Sequence, residues 1–295
     1  MPELPEVETI VRGLRRPLRG RRVRAIEVLR PDLLDTTATR FSSAIVGASF
    51  SRVARRGKNL LLHLEAGPNG GRPTRRRPDG AAEPGTLVVN LGMSGRLLVR
   101  APADSAPEPT HPGVRFRLDD GSVLVYHDVR RFGRLRVMDP GALAAWSDCL
   151  GPEPLARGFT ARALEEALRR SAAPIRSWLL DQRRIAGVGN IYANEALFRA
   201  RVHPGAPARG IVGGATKRLH RALRAVLREA IDSNGTTLRD YRTARGGEGS
   251  YGARLRVYGR EGRPCPSCRR PIARVTFGGR SAYFCRSCQP RRIVR

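Results

Sequence analysis

Over the first 18 residues, apolar positions recur at helical spacing. Val7, Ile10, Val11, Leu14 and Leu18 share one face of a predicted helix over 5–18. Pro5 suits its first turn, Glu6 and Glu8 complement its positive end, and Pro17 is placed to stop it. From residue 22 the pattern turns short and strand-like. Segments 22–28, 50–54, 59–64, 86–91, 96–100, 114–118, 122–126 and 134–138 read as strands, and Asp120-Gly121 reads as the hairpin turn between two of them. So many short strands with little helix between them predict a β-sandwich or barrel. Around Gly151-Pro152-Glu153-Pro154 the pattern changes again, and helical periods follow at 161–170, 174–182, 190–201 and 215–233. The Gly/Pro/Arg-rich stretch 67–86 and the Pro-rich stretch 101–112 carry no pattern and predict exposed loops. Four glycines within 245–252 predict a mobile segment ahead of the C-terminal cysteines.

The 295-residue length fits about two domains. Charge sharpens the picture more than length does. Lys and Arg number 55 against 26 Asp and Glu, for a net charge of +29. Such an excess calls for a polyanionic partner, and nucleic acid is the first choice. An arginine-rich proteome explains why Lys58 and Lys217 are the only lysines, but not why bases outnumber acids. Aromatic residues make up 5%, which argues against a long base-stacking platform. No apolar run approaches the ~18 residues of a membrane span. The opening MPELPEVETI has three glutamates and no basic stretch, unlike a secretory signal, so the expected location is the cytosol.

Cys265-Pro-Ser-Cys268 and Cys285-Arg-Ser-Cys288 stand sixteen residues apart. This is the spacing of a structural zinc site, in which two tight turns complete a tetrahedral shell of four thiolates. Disulfides are the alternative, which a cytosolic chain disfavours. Cys149 is left over and is expected to be a reduced packing residue.

The N-terminus offers a nucleophile. If Met1 is removed, Pro2 carries a secondary α-amine that titrates near ~8, so part of it is unprotonated at neutral pH and able to form an iminium. Glu3 beside it can deliver a proton. The plain alternative is that Pro-Glu only starts a helix. Lys58 lies in a basic turn ahead of Leu60–Leu64; lysine can release its proton where arginine cannot, although a solvated turn is the default. Gly187-Val-Gly189-Asn190 opens a predicted helix and can present amides to an anion, or merely connect helices. Arg130-Arg131-Phe132-Gly133 can wedge into a duplex, or be an ordinary basic hairpin.

Together these pieces resemble the bacterial formamidopyrimidine-DNA glycosylases, which remove 8-oxoguanine and ring-opened purines. The matching stretches are PELPEVET, RRGKNLLLHL, NLGMSGRL, RRFG, LGPEPL, GVGNIYANEALF, HPGAPA, GTTLRDY and VYGREGRPCPSC…GGRSAYFCRSCQ, in order from residue 2 to residue 289. The resemblance implies a multidomain α+β fold: an N-terminal β-sandwich with an N-terminal helix, then a helical helix-two-turns-helix domain ending in a zinc-bound β-hairpin. The implied division is a catalytic sandwich over 1–150, a helical DNA-binding domain over 151–245, a mobile Gly-rich lesion loop over 246–255 and a four-cysteine zinc finger over 256–290. It also implies damaged double-stranded DNA as the partner, one structural Zn2+, a monomer, and a nucleoid-associated location in bacterial cytoplasm.

The implied chemistry is base excision repair with strand cleavage. Pro2 attacks C1′ and expels the base, Glu3 acts as the acid with Glu6 close by, Lys58 serves β-elimination and Arg280 serves δ-elimination. Met93, Arg130 and Phe132 fill the hole left by the extruded base. His111, Asn190, Arg176 and Arg280 contact DNA. This sequence departs from the family pattern in places. Arg176 stands where lysine is common, Ala172 where a basic residue is expected, and His127-Asp128-Val129 where Thr-Asp-Pro is more usual. Two rivals stay open at this point: an endonuclease VIII-like enzyme for oxidised pyrimidines, disfavoured by Leu4, and a non-catalytic zinc-containing DNA-binding protein.

Overall fold

The amphipathic stripe at the N-terminus forms helix α1 (Leu4–Leu18), which buries Val7, Ile10, Val11, Leu14 and Leu18. Pro17 sits inside its last turn and the helix ends one residue later. The structure, a computed structural model, describes residues 2–66, 85–104, 110–237, 241–244, 246–277 and 279–291. The expected loop at 67–86 therefore lies outside the described residues except for its last two, as do 105–109 of the second loop and Arg245 of the Gly-rich segment.

The strands β1 (Val23–Val28), β2 (Ser49–Arg56), β3 (Asn59–Glu65), β4 (Thr86–Asn90), β5 (Arg96–Arg100), β6 (Pro112–Leu118), β7 (Val123–His127) and β8 (Arg134–Met138) follow the expected segments closely. They form two four-stranded sheets, β1-β6-β7-β5 and β2-β3-β4-β8, with every pair antiparallel. Phe50, Leu60, Leu62 and Leu87 from one sheet share a buried core with Val114, Phe116, Leu124 and Tyr126 from the other, and α1 adds its apolar stripe. A β-sandwich is the result. At the expected hairpin turn, Gly121 takes φ +80° and the Asp120 carboxylate accepts the Ser122 N–H at 3.0 Å.

Two short helices escape the apolar-stripe reading. Helix α2 (Ala38–Ser43) buries Phe41 alone, and α3 (Pro140–Asp148) buries nothing. Their starts come from caps: the Thr37 hydroxyl accepts the Arg40 N–H, and the Asp139 carboxylate accepts the Ala142 N–H, with Pro140 next. Cys149 follows α3 and is exposed, not packed as expected.

By its contacts the chain divides into one unit of Met1–Cys149 with Asn234–Ser250, and a second of Leu150–Ser233 with Tyr251–Arg295. The second unit holds α4 (Ala161–Arg169), α5 (Ile175–Leu180), α6 (Asn190–Ala200) and α7 (Gly214–Asp232), then the hairpin β9 (Ala273–Phe277) and β10 (Arg280–Phe284). Helix α6 is buried almost all round and packs on α5, α7 and β10. Its Glu195 is fully buried and accepts the backbone N–H groups of Arg256, Val257 and Tyr258 at 3.0, 2.9 and 2.9 Å. Those three bonds satisfy a carboxylate whose burial is otherwise costly, and they fix the approach to the cysteines. The α+β architecture expected from the sequence is thus present in both units.

Residues 234–250 strap onto the first unit. Thr236 N–H donates to Glu6 Oε1 at 2.7 Å, and Val99 N–H to the Ala244 carbonyl at 3.3 Å. A Cβ on Gly13 of α1 would lie 2.9 Å from the Ala244 Cβ. Glycine to alanine inside a helix ordinarily stabilises by about 0.5–1 kcal/mol, but overpacking a tight contact costs about 1–3 kcal/mol. Sterics win here, so Gly13→Ala lowers the melting temperature by a few degrees; a variant that melts above wild type contradicts the close approach.

Candidate active site and nucleic-acid interface

Helix α1 begins with its chemistry in place. Pro2 is buried, and Glu3, 2% exposed, is the N-cap and forms a capping box with Glu6. Glu3 N–H donates to Glu6 Oε2 at 2.8 Å. The other Glu6 oxygen takes the Thr236 N–H, and Gly235 at φ +82° comes so near that a Cβ there would lie 2.9 Å from Glu6 Oε1. The Tyr241 hydroxyl donates to the Asn234 carbonyl at 3.0 Å; burial, then the Glu6 charge, raises its pKa and keeps the phenol protonated. Glu6 is therefore held by both oxygens, and it fixes the backbone on which Pro2 and Glu3 sit.

Lys58 occupies the two-residue turn between β2 and β3. Positive φ falls on Gly57 (58°) and not on Lys58, the pattern of a type II′ hairpin. Arg55 Nη1 donates to the Gly57 carbonyl at 2.8 Å, and Arg55 Nε pairs with Glu8 of α1 at 3.3 Å. The turn bearing Lys58 is thereby tied to the helix that starts at the candidate nucleophile. Beyond it, Asn90 Nδ2 donates to Asn59 Oδ1 at 2.9 Å, and Asn90 Oδ1 accepts the Gly92 N–H at 2.9 Å. This chain of amides leads from the Lys58 turn to the loop carrying Met93.

Met93 and Phe132 expose 38% and 57% of their surfaces. Arg130 stacks on Phe132, its guanidinium carbon 5.2 Å from the ring centroid. The two loops touch backbone to backbone: a Cβ on Gly92 would meet the Gly133 nitrogen at 2.6 Å, and one on Gly133 would overlap the Tyr126 hydroxyl. His111 is exposed, shares a 2.8 Å hydrogen bond with the Thr110 hydroxyl, and stands edge-on to buried His127 with ring centroids 5.9 Å apart. Burial, with Arg96 and His111 nearby, lowers the pKa of His127 and keeps it neutral. Apolar and cationic side chains thus stand out together from a sandwich whose other large apolar groups are mostly inside.

The second unit gathers a different set. Asn190 is the first residue of α6; its Nδ2 donates to the Ser281 carbonyl at 3.1 Å and its Oδ1 accepts from Arg176 Nη2 at 2.7 Å. Arg176 is 1% exposed and also donates to the Ser281 carbonyl at 2.9 Å. Its guanidinium is a buried brace beneath Asn190. Arg280, at the start of β10 after Gly279 (φ +73°), is exposed. Burial, then the Arg280 charge, lowers the Arg176 pKa. Gln182 orders the turn before α6, accepting the Gly187 N–H and donating to the Val188 carbonyl, both at 2.8 Å. Gln182 lies outside every matching stretch, and Thr236 and Tyr241 lie within GTTLRDY, but their proximity to Glu6 becomes visible only in the fold.

The sulfurs of Cys265, Cys268, Cys285 and Cys288 all lie within 4.8 Å of one another. Zinc–thiolate bonds of ~2.3 Å give a tetrahedron with edges of about 3.8 Å. The Cys265–Cys288 and Cys268–Cys285 sulfurs are 3.9 and 3.4 Å apart. The donor set therefore fits one Zn2+, with no position left for catalysis. Backbone hydrogen bonding from Arg270 brings the Cys268 thiol down to about 7, while burial pushes the Cys285 and Cys288 thiols up. Phe198, Val257 and Ile272 pack on the site, and Gln289 braces it by accepting the Cys285 N–H at 3.0 Å and donating to the Val202 carbonyl at 2.8 Å.

Three family models match the chain: the formamidopyrimidine-DNA glycosylase N-terminal domain over 1–135, the formamidopyrimidine-DNA glycosylase H2TH domain over 150–242, and the zinc finger found in FPG and IleRS over 262–291. The formamidopyrimidine-DNA glycosylase of Chloroflexus aurantiacus is 42% identical over 290 residues, covering 98% of both chains. The crystal structure of the MutM (FPG) protein of Thermus thermophilus superposes with a TM-score of 0.82 at 41% identity, over 98% of both chains. A Lactococcus lactis Fpg in complex with DNA containing an abasic site superposes with a TM-score of 0.85 at 28% identity, over 98% of this chain and 99% of that one.

The zinc geometry leads to a direct expectation. Metal analysis returns one Zn2+ per chain, and strong chelation unfolds the C-terminal hairpin and abolishes DNA binding. Full binding after verified zinc loss contradicts a structural role for the metal.

Proposed function

The chain belongs to the formamidopyrimidine-DNA glycosylase family, and on that premise we propose which of its residues carry the reaction. The protein is a bifunctional enzyme that removes oxidised purines from DNA and cleaves the strand at the resulting abasic site. Its substrate in this reading is damaged duplex DNA; Lactococcus lactis relatives were crystallised with DNA containing Fapy-dG or an abasic site.

Pro2, freed of Met1, is the nucleophile. Pro2 itself is buried at the positive end of α1, and the helix field favours the neutral, attacking form of the amine that removal of Met1 frees. Nitrogen bonds to C1′ as the glycosidic bond breaks, and the departing base takes a proton, for which Glu3 is the adjacent source. The nitrogen lone pair then breaks the C1′–O4′ bond, O4′ takes a proton and the sugar ring opens to an iminium; this acidifies the C2′ hydrogen, so loss of that proton expels the 3′ phosphate. Lys58 serves this β-elimination, because a lysine can exchange a proton where arginine cannot. Arg280 serves the second elimination. The observation that carries the assignment is the doubly bonded Glu6 carboxylate, which fixes Pro2 and Glu3 on one rigid helix start.

Extruding a base costs a few kcal/mol. Met93, Arg130 and Phe132 offset it by occupying the gap, with His111 on the strand nearby. Asn190 and Arg280 hold phosphates, Arg176 braces them, and a bound phosphate relieves the repulsion between the two guanidiniums. The sandwich is the catalytic domain, the helices and four-cysteine hairpin bind DNA, and residues 246–255 close over the extruded base.

Borohydride reduction in the presence of an 8-oxoguanine duplex traps a covalent protein–DNA adduct, and Pro2→Gly reduces trapping by about 100-fold. Equal trapping by the variant overturns the nucleophile assignment. Affinity for duplex DNA falls about 100-fold between 50 and 200 mM salt, the slope of about four phosphate contacts; a flat profile contradicts the electrostatic reading.

A further inference from the structure

We propose that Asp128 is the positioning residue of the duplex-opening wedge: one buried carboxylate fixes the loops that carry His111, Met93, Arg130 and Phe132, so the wedge meets the base stack already shaped. The proposal rests on the reading of those four side chains as duplex contacts.

Asp128 is 3% exposed. Its Oδ1 accepts the Ser94 hydroxyl at 2.7 Å. Ser94, itself 2% exposed, follows Met93, and its oxygen in turn accepts the Arg130 N–H at 3.0 Å. Asp128 Oδ2 accepts the Gly133 N–H at 2.8 Å and the Tyr126 hydroxyl at 3.2 Å. Its own N–H donates to the His111 carbonyl at 3.2 Å. Every loop that presents a candidate duplex contact in this unit is therefore joined to Asp128 directly or through Ser94.

The partners of this carboxylate are neutral donors, so its burial secures geometry and not charge pairing. Hydrogen bonds to an anion are short and directional, which suits a clasp. Tyr126 strengthens it: burial and the Asp128 charge both raise the phenol pKa, so it remains a donor. The wedge needs such an anchor. Residues 128–134 contain no proline, and Arg131 takes φ 54°, a conformation that residues other than glycine rarely adopt. A loop that ordered only on DNA would spend binding energy on its own ordering instead of on opening the stack.

Asp128→Asn keeps the volume but replaces one acceptor oxygen with a donor, so the Ser94 hydroxyl and the Gly133 N–H are no longer both accepted. Two substrates separate positioning from general damage: 8-oxoguanine in duplex DNA, which must be extruded, and an abasic site in a single strand, which needs no wedge. Duplex excision (kcat/KM) falls about 10- to 100-fold, the range of one or two charge-assisted hydrogen bonds, and single-strand cleavage falls about tenfold less. A 2-aminopurine placed beside the lesion reports unstacking, and its fluorescence rise slows in parallel. Ser94→Ala, which keeps the carboxylate, gives the same split in smaller degree and serves if Asp128→Asn folds poorly. Equal losses on the two substrates, or an unchanged duplex rate, overturn the proposal. A wild-type protein that unstacks no base overturns it together with the reading of the contacts; wild type that unstacks as fast as both variants overturns the clasp alone.

Discussion

The Glu6 carboxylate joins a helix start to chain that comes 230 residues later, through the Glu3 N–H at 2.8 Å and the Thr236 N–H at 2.7 Å. The first bond satisfies one of the amides that a helix N-terminus leaves without an internal partner. The second holds the 234–250 strap against α1. A buried carboxylate is costly unless its oxygens are hydrogen-bonded, so this group favours one arrangement and penalises the others. The arrangement it favours places Pro2 and Glu3 on a rigid base. In the proposed reaction, whose nucleophile is the freed amine of Pro2 in the part of a protein that most readily frays, that constraint comes before any chemistry.

The same device recurs. Glu6, Asp128 and Glu195 are all nearly or fully buried, and each accepts backbone N–H groups. One sets the start of α1, one gathers the loops of Met93, Arg130 and Phe132, and one anchors the run into the four-cysteine hairpin. Acids are scarce in a chain with a net charge of +29, yet these three are spent inside, where directional hydrogen bonds specify shape. The basic excess remains for the polyanion, where long-range attraction and counterion release act. Arg176 is the exception that clarifies the rule: it is a buried cation, and it braces Asn190 and the hairpin carbonyl of Ser281.

The parts of the fold that follow from local pattern were legible in the sequence. The α1 stripe, the short strands and the paired cysteines each announce themselves by spacing, and the structure places them close to the expected residues. Helix α3 was hidden because it buries no apolar face, and α2 because it buries one residue. The strap over 234–250 was hidden for another reason: its partners, Glu6, Gly13 and Val99, are far away in sequence. Composition marks the glycines there as loop but says nothing of what they rest on. The candidate chemistry divides similarly. Pro2, Glu3, Lys58 and the cysteines stand in motifs that point to a chemistry, whereas Ser94 and Asp128, also in stretches the sequence singles out, show their joint role only once strands and turns bring their partners together. The burial of Arg176 also comes from tertiary structure, since its partners, Asn190 and the Ser281 carbonyl, are distant in sequence.

The most direct test of the account is the position of the covalent bond. Borohydride-reduced enzyme–DNA adduct is digested and the modified peptide sequenced by tandem mass spectrometry. The account predicts a deoxyribose remnant on the nitrogen of Pro2, in a peptide that begins at residue 2. A remnant on Lys58, or a modified chain that still begins with Met1, contradicts it.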